Sequence, residues 1–229
     1  MNFTADKTQT LSHIEPKIGE GVFLIKDVAY ILKLDYNKVR RWIFEFWDCR
    51  FGHNETYTFG DKGFKAVNFY TLIEFYTFYK LRELDFSAQK IQEAHELMSK
   101  DLNTKYPFAQ DIIHVDNKNI WYEHLGDLMK VDKTRKRYFK DILEPFLNRI
   151  EFGKDRIAQK YYPLTNSKNI VVDPKHQFGQ PTVSGTNIKT TTIYNLHKGG
   201  ETNKNISILY NISAEKVHDA IAFHTQRVA

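Results

Sequence analysis

Side chains that bind DNA bases and phosphates are concentrated in one short stretch near the start of the chain. They are Asn37, Lys38, Arg40 and Arg41. Arg and Asn make paired hydrogen bonds to the edges of guanine and adenine, and Lys and Arg neutralise backbone phosphates. These four residues are therefore our candidates for reading DNA bases in the major groove.

A helix-turn-helix pattern places these candidates on its second helix. The window from Ile25 to Phe44 has apolar or small residues where two short helices cross: Val28, Ala29, Leu32, Leu34, Val39 and Trp42. This spacing lets the helices meet at a steep angle around a tight turn. It predicts a second helix over about Tyr36 to Phe46, the element that usually enters the major groove. Lys33 stands where such turns often hold Gly, in a left-handed conformation that Lys tolerates poorly.

The same spacing occurs a second time from Asn203 to Ala222. Its matching positions are Ile206, Ser207, Tyr210, Ile212, Val217 and Ala220. The second helix of this copy begins at Ser213 and is close to neutral, because Glu215 and Asp219 accompany Lys216. Carboxylates facing phosphates oppose DNA binding. We therefore predict that the second copy is a packing or partner-binding module.

The segment after the first helix-turn-helix favours a wing. From Cys49 to Lys65 aromatic residues are interspersed with Gly and Asp, which predicts a hairpin. A hairpin directly after a recognition helix is the wing of winged-helix proteins. Arg50, Lys62 and Lys65 would then contact the DNA backbone. Ordinary solvated hairpin charges are the alternative interpretation.

The composition suits an acidic partner and excludes several classes of protein. The 229 residues include 33 Lys and Arg against 28 Asp and Glu, a formal net charge of +5 that suits nucleic acid. No stretch approaches the ~20 apolar residues of a membrane span, and the N-terminus lacks the pattern of a secretion signal. The single cysteine, Cys49, excludes an internal disulfide and a cysteine-based zinc site. We expect a soluble cytoplasmic protein with no cofactor, no metal and no membrane partner.

The sequence does not favour an enzyme. It contains no GxSxG, no phosphate-binding glycine loop ending in Lys-Ser/Thr and no HExxH. Asp111, Asp116 and Asp127 could gather around a metal in a nuclease. Scattered acids are expected by chance, however, in a chain with 28 acidic residues. We therefore predict no catalytic residue.

The chain divides into four parts and belongs to the mainly α, α+β class. The expected parts are a flexible arm (1–20), a winged helix-turn-helix domain (21–105), a mixed strand and helix linking segment (106–168) and a C-terminal three-helix domain (169–229). Apolar periodicity predicts helices from Val67 to about Glu83 and after a Ser87 cap. In the last part, a hairpin precedes three helices, Thr190 to Lys198, Asn203 to Tyr210, and Ser213 to Gln226.

A dense basic run lies in the linking segment. It contains Lys130, Lys133, Arg135, Lys136, Arg137 and Lys140. Asp132 or Thr134 can cap a helix that continues towards Phe146. We assign a second contact with the DNA backbone to Lys133, Arg135, Lys136 and Arg137. A solvated helix face is the more usual explanation for such a run.

The front of the chain resembles the DNA-binding part of MerR-type regulators. The resemblance runs from IKDVAYILKLDYNKVRRWI through VNFYTLIEFYTFYKLRELDFS and covers roughly residues 22–103. In that family a helix-turn-helix is followed by a wing and then by helices that pack behind it. The resemblance implies dimeric DNA binding. It does not imply a metal-sensing inducer site, because the cysteines of the metal-sensing members are missing here.

The rear of the chain resembles VapB-type antitoxins that accompany PIN-like ribonuclease toxins. The matching strings are VVDP at 171–174, FGQP at 178–181, SGT at 184–186, KGG at 198–200 and VHDAIAFH at 217–224. The resemblance implies a DNA-binding antitoxin that represses its own operon. Because one helix-turn-helix buries too little surface for high specificity, we expect a homodimer on a palindromic operator in double-stranded DNA. The resemblance also implies a rear domain for assembly or for neutralising the PIN-like toxin. It assigns no individual residue to toxin contact.

Two other functions stay open at this point. One is a stand-alone MerR-like transcriptional regulator without a toxin. The other is an interaction scaffold whose helix-turn-helix units only pack. A neighbouring gene for a small ribonuclease separates the antitoxin from the first alternative, and DNA binding separates both regulators from the scaffold.

Overall fold

The structure is a computed structural model that describes residues 17–51, 56–60, 64–116, 119–131, 137–138 and 147–226. Most of the predicted N-terminal arm (1–16) lies outside these residues. So do four of the candidate backbone-binding residues: Lys62, Lys133, Arg135 and Lys136.

Two short helices follow a two-residue strand at the start of the described chain. β1 (Phe23–Leu24) leads into α1 (Ile25–Leu32), and α2 (Tyr36–Trp42) follows after a tight turn. A π-helical segment (Ile43–Phe51) continues directly from α2. The second helix was predicted to end near Phe46, so the α-helical part is shorter and the helical stretch as a whole is longer than predicted.

The wing is described only in part. Phe59 and Ala66 exchange two backbone hydrogen bonds of 2.9 and 3.0 Å, and β2 (Ala66–Val67) pairs antiparallel with β1. The prediction of a hairpin starting at Cys49 is wrong at that end, because residues 49–51 are π-helical.

Two long helices form the centre of the main core. α3 (Phe69–Glu83) is capped by Asn68, whose side chain accepts from Thr71 N at 3.0 Å, and α4 (Ala88–Leu102) is capped by Ser87. The aromatic side chains of α3 are core residues: Phe69, Phe75 and Phe78 are each 1% exposed or less.

The linking segment forms small antiparallel sheets. After a 3-10 turn (Pro107–Ala109), the four strands of the larger sheet are β3 (Ile113–Val115), β4 (Ile120–His124), β5 (Asp127–Lys130) and β6 (Arg137–Tyr138). β7 (Ile150–Phe152) pairs with β8 (Ala158–Tyr161). The helix predicted within the basic run is wrong at 137–138, because these two residues form the edge strand of the larger sheet and pair with 128–129.

The C-terminal part has its own core. A hairpin of β9 (Ile170–Val171) and β10 (Thr182–Val183) precedes α5 (Thr190–Lys198), α6 (Asn203–Tyr210) and α7 (Ala214–Thr225). Its buried side chains centre on Ile193, Ile206 and Phe223, and they form a cluster separate from the main core. The mixed α+β class is therefore confirmed. No described helix is long and apolar enough to cross a membrane.

Candidate nucleic-acid interface

The candidate recognition helix presents its polar edge to solvent. Asp35 caps α2 by accepting a hydrogen bond from Lys38 N at 2.8 Å. Val39 and Trp42 are buried against the core, and this orientation leaves Asn37, Arg40 and Arg41 exposed. An exposed helical edge with these residue types can donate hydrogen bonds to bases and neutralise phosphates.

Two of the four base-reading candidates also contact aromatic rings. The Lys38 ammonium lies 5.1 Å from the ring centroid of Trp42 and 5.5 Å from that of Tyr79. The Arg40 guanidinium lies 5.6 Å from the ring of Phe44. Cation–π contacts of this kind hold a side chain close to the protein surface. Lys38 is consequently half-buried, on the side of α2 that faces α3.

The turn between α1 and α2 has the conformation that Gly usually supplies. Lys33 has φ 57° and ψ 43°, the left-handed region, and its N–H bonds back to Tyr30 O. Asn211 takes the same place in the second helix-turn-helix, with φ 50°. A left-handed Lys is strained by roughly 1–2 kcal/mol, so contacts elsewhere must hold it there.

The side chain of Lys33 makes those contacts with the second helix-turn-helix. Its ammonium donates to the backbone oxygen of Phe223 at 2.5 Å and lies 4.0 and 4.2 Å from the rings of Tyr30 and Phe223. Burial lowers the pKa of Lys33 to about 8. The last turn of α7 thus contacts the end of α1 and the turn that follows it, and Asn37, Arg40 and Arg41 on α2 are exposed.

A histidine completes this contact. Thr190 Oγ1 donates to Pro181 O and therefore accepts from Nε2 of His224, at 3.0 Å. Nδ1 of the same neutral ring then accepts from the Tyr30 hydroxyl. The imidazole stacks on Tyr194 with centroids 4.6 Å apart and planes 9° apart. Burial, followed by the charge of Lys33, lowers the pKa of His224 to about 4. We call Tyr30, Lys33, Thr190, Tyr194, Phe223 and His224 the helix junction.

The predicted wing contacts lie in two different places. Arg50 belongs to the π-helical segment, where its guanidinium donates to Gln92 Oε1 at 2.7 Å and lies 5.1 Å from the ring of Phe46. Lys65 lines a groove between the wing and α2, together with Arg40 and Phe64. For Arg137 the structure describes only its place in β6.

Two features of the structure were not predicted from the sequence. The first is the contribution of Lys26, Tyr36 and Phe64 to the groove beside α2. The second is the helix junction, for which the one available signal was Lys33 itself, an unexpected residue at a left-handed position.

One of the acidic residues considered for a metal site, Asp116, fixes a turn. Asp116 accepts hydrogen bonds from Trp121 Nε1 at 2.8 Å and from Asn119 N at 2.7 Å, which fixes the turn before β4. Within the described ranges, no three His, Cys, Asp or Glu side chains come together as metal ligands.

Comparison with known proteins supports the resemblance at the rear of the chain. The family described as a protein of unknown function, DUF433, matches residues 170–224, which contain the hairpin and the three C-terminal helices. A relative from Mycobacterium tuberculosis (strain ATCC 25618 / H37Rv), "Putative antitoxin VapB45", is 23% identical over 165 residues. The match spans 67% of this chain and 69% of the relative. The resemblance to VapB-type antitoxins is therefore confirmed.

A solved structure shares the fold. The crystal structure of Rv2018 from Mycobacterium tuberculosis superposes with a TM-score of 0.62 at 14% identity. The superposition covers 87% of this chain and 96% of that one, so the shared fold extends well beyond the C-terminal part.

Proposed function

We propose that this protein is the antitoxin of a toxin–antitoxin operon, and that it represses the operon by binding DNA through α2. The observation that carries the proposal is the combination of an antitoxin-like relative over two thirds of the chain with an exposed basic helical edge. The relative supports the antitoxin role. The exposed residues of α2 support the DNA-binding role.

DNA recognition is assigned to the first helix-turn-helix alone. Asn37 and Arg41 are one helical turn apart on α2 and both are exposed, so they can reach adjacent base edges in the major groove. The second helix-turn-helix instead uses α7 to pack on α1. One helix-turn-helix buries too little surface for high specificity, so we propose a homodimer on a palindromic operator in double-stranded DNA.

The toxin partner follows from the name of the relative. VapB-type antitoxins accompany PIN-like ribonuclease toxins, and we propose such a toxin as the partner of this chain. A protein with these two tasks needs no catalytic group of its own.

Two experiments test this function. Gel shifts with the DNA upstream of the gene should show retardation that an unrelated competitor duplex does not remove. Co-expression with the product of the adjacent gene should restore growth to cells that this product arrests. DNA binding without rescue of growth would indicate a stand-alone regulator, and rescue without DNA binding would remove autorepression.

A further inference from the structure

A groove of about 460 Å³ lies between the candidate recognition helix and the wing. α2 and the start of the π-helical segment form one wall, the start of α1 forms the second, and the wing residues before β2 form the third. The lining residues are Leu24, Ile25, Lys26, Tyr36, Arg40, Phe44, Phe64 and Lys65. The groove includes Arg40, one of the exposed residues of α2.

Three elements each contribute one cation to this groove. Lys26 comes from α1, Arg40 from α2 and Lys65 from the wing. Among the described lining residues there is no carboxylate to neutralise them. Three positively charged side chains that line one groove attract an anion, and a phosphate can accept hydrogen bonds from Lys and Arg side chains.

Aromatic rings lie beside these cations. Phe64 is 73% exposed and Tyr36 46% exposed, although both belong to residue types that are normally buried. The backbone of the wing turns tightly at this point: Gly60 has φ +88°, and a Cβ there would lie 2.7 Å from the backbone oxygen of Phe64. The backbone bonds between Phe59 and Ala66 close the same loop. An exposed aromatic ring beside cations offers an apolar face to a ligand.

We propose that this groove binds one nucleotide of a DNA strand, with its phosphate between Lys26, Arg40 and Lys65 and its deoxyribose against Tyr36 and Phe64. This inference rests on the proposed DNA-binding function. A nucleotide unit combines the two chemistries of the groove, an anion and an adjacent apolar ring face. Protein–nucleic acid contacts to phosphate and sugar fix the register of the protein on the duplex without reading its sequence.

The groove separates the tasks of two neighbouring arginines. Arg40 lies on the groove wall and binds phosphate, whereas Arg41 does not line the groove and remains available for a base edge. Phosphate contacts weaken binding to all sequences alike, and base contacts determine which sequence is preferred. Replacing Arg40 should therefore weaken binding to all DNA sequences, whereas replacing Arg41 should weaken the preference for one sequence, although the two residues are adjacent.

The test measures the affinity of the full-length protein for two duplexes by fluorescence anisotropy across a salt series. One duplex is an upstream fragment that the wild type binds, and the other is a scrambled duplex of equal length. Lys65→Ala and Arg40→Ala should weaken binding to both duplexes alike, and each should reduce the slope of log K against log salt by about 0.9. Phe64→Ala should weaken binding about tenfold with an unchanged slope, because it removes apolar contact rather than charge.

Matched controls lie elsewhere on the surface. Lys154→Ala removes an exposed lysine from the turn between β7 and β8, and Phe178→Ala removes a phenylalanine that is 75% exposed. Both should leave affinity and salt slope unchanged, and thermal melting should show that every variant is folded.

The outcomes separate this inference from the function on which it rests. A wild-type protein that prefers no upstream fragment would refute the proposed DNA-binding function. A wild type that binds its fragment, with Phe64→Ala and Lys65→Ala binding equally well, would overturn the groove alone. Loss of affinity in Arg40→Ala for the upstream fragment but not for the scrambled duplex would assign Arg40 to a base and also overturn the inference.

Discussion

The helix junction should make the stability of the protein sensitive to mild acid. His224 is neutral in the folded protein at pH 7, because burial of the ring, followed by the charge of Lys33, lowers its pKa. Its pKa falls from 6.5 to about 4 on folding. A group with a lowered pKa in the folded state contributes stability above its unfolded pKa and loses it as the pH falls.

The size of this effect follows from the two pKa values. Between pH 7 and pH 5 the unfolded chain binds a proton at this histidine and the folded chain does not. This difference in proton binding lowers the free energy of unfolding by at most about 1.8 kcal/mol. Because the ring is only partly buried, solvent screening reduces the expected loss to about 1 kcal/mol.

The assay is urea denaturation of the wild type and of His224→Gln at pH 7, 6 and 5. Glutamine offers an acceptor to Tyr30 and a donor to Thr190 but does not titrate in this range. Between pH 7 and pH 5, the free energy of unfolding of the wild type should fall by about 1 kcal/mol more than that of the variant. Equal losses in both proteins would show that His224 titrates as it does in the unfolded chain, and would refute this account of the junction.

Two further predictions concern the cores. A Cβ at Gly179 would lie 2.2 Å from Cζ of the fully buried Phe23, whereas a Cβ at Gly185, also at positive φ, meets nothing within 4 Å. Gly179→Ala should therefore destabilise the protein by about 2 kcal/mol more than Gly185→Ala in urea denaturation, and equal effects would contradict the packing of β1 against the C-terminal part. Glu74 and His95, both almost fully buried, lie 2.8 Å apart between Oε2 and Nε2, and Glu74 Oε1 also accepts from Phe108 N at 2.6 Å. Glu74→Ala should cost roughly 3–5 kcal/mol of unfolding free energy, and a loss below about 1 kcal/mol would show that this pair is not part of a dry core.

The helices that were predicted well from the sequence have a clear apolar period. α5 and α6 have the predicted bounds, and Ser87 caps α4 as expected. In these elements local propensity and tertiary packing favour the same conformation, so the sequence alone is sufficient.

The elements that were missed depend on contacts distant in sequence. The π-helical segment has an i→i+5 bonding pattern that a period of 3.6 residues does not indicate. β1 and β2 have two residues each and exist only because residues 23–24 pair with residues 66–67. Arg137 and Tyr138 lie in a basic run typical of a solvated helix, yet they pair with β5.

The candidate site, too, could be predicted from the sequence only where it lies within one element. The types and spacing of Asn37 and Arg41 predicted an exposed helical edge, and these side chains are exposed. The groove beside them combines residues from three elements, and the helix junction joins residues 194 positions apart. Neither arrangement follows from periodicity, because each requires knowledge of how separate elements pack.

The central claim, that the exposed edge of α2 reads DNA, is tested most directly by the double variant Asn37→Ala/Arg41→Ala. The measurement is the ratio of its affinity for the upstream fragment to its affinity for a scrambled duplex, with Lys154→Ala as the control. We predict that the ratio falls by at least about tenfold in the double variant, since each good base contact contributes roughly 1–3 kcal/mol of discrimination. A folded double variant that keeps the wild-type ratio would contradict the account.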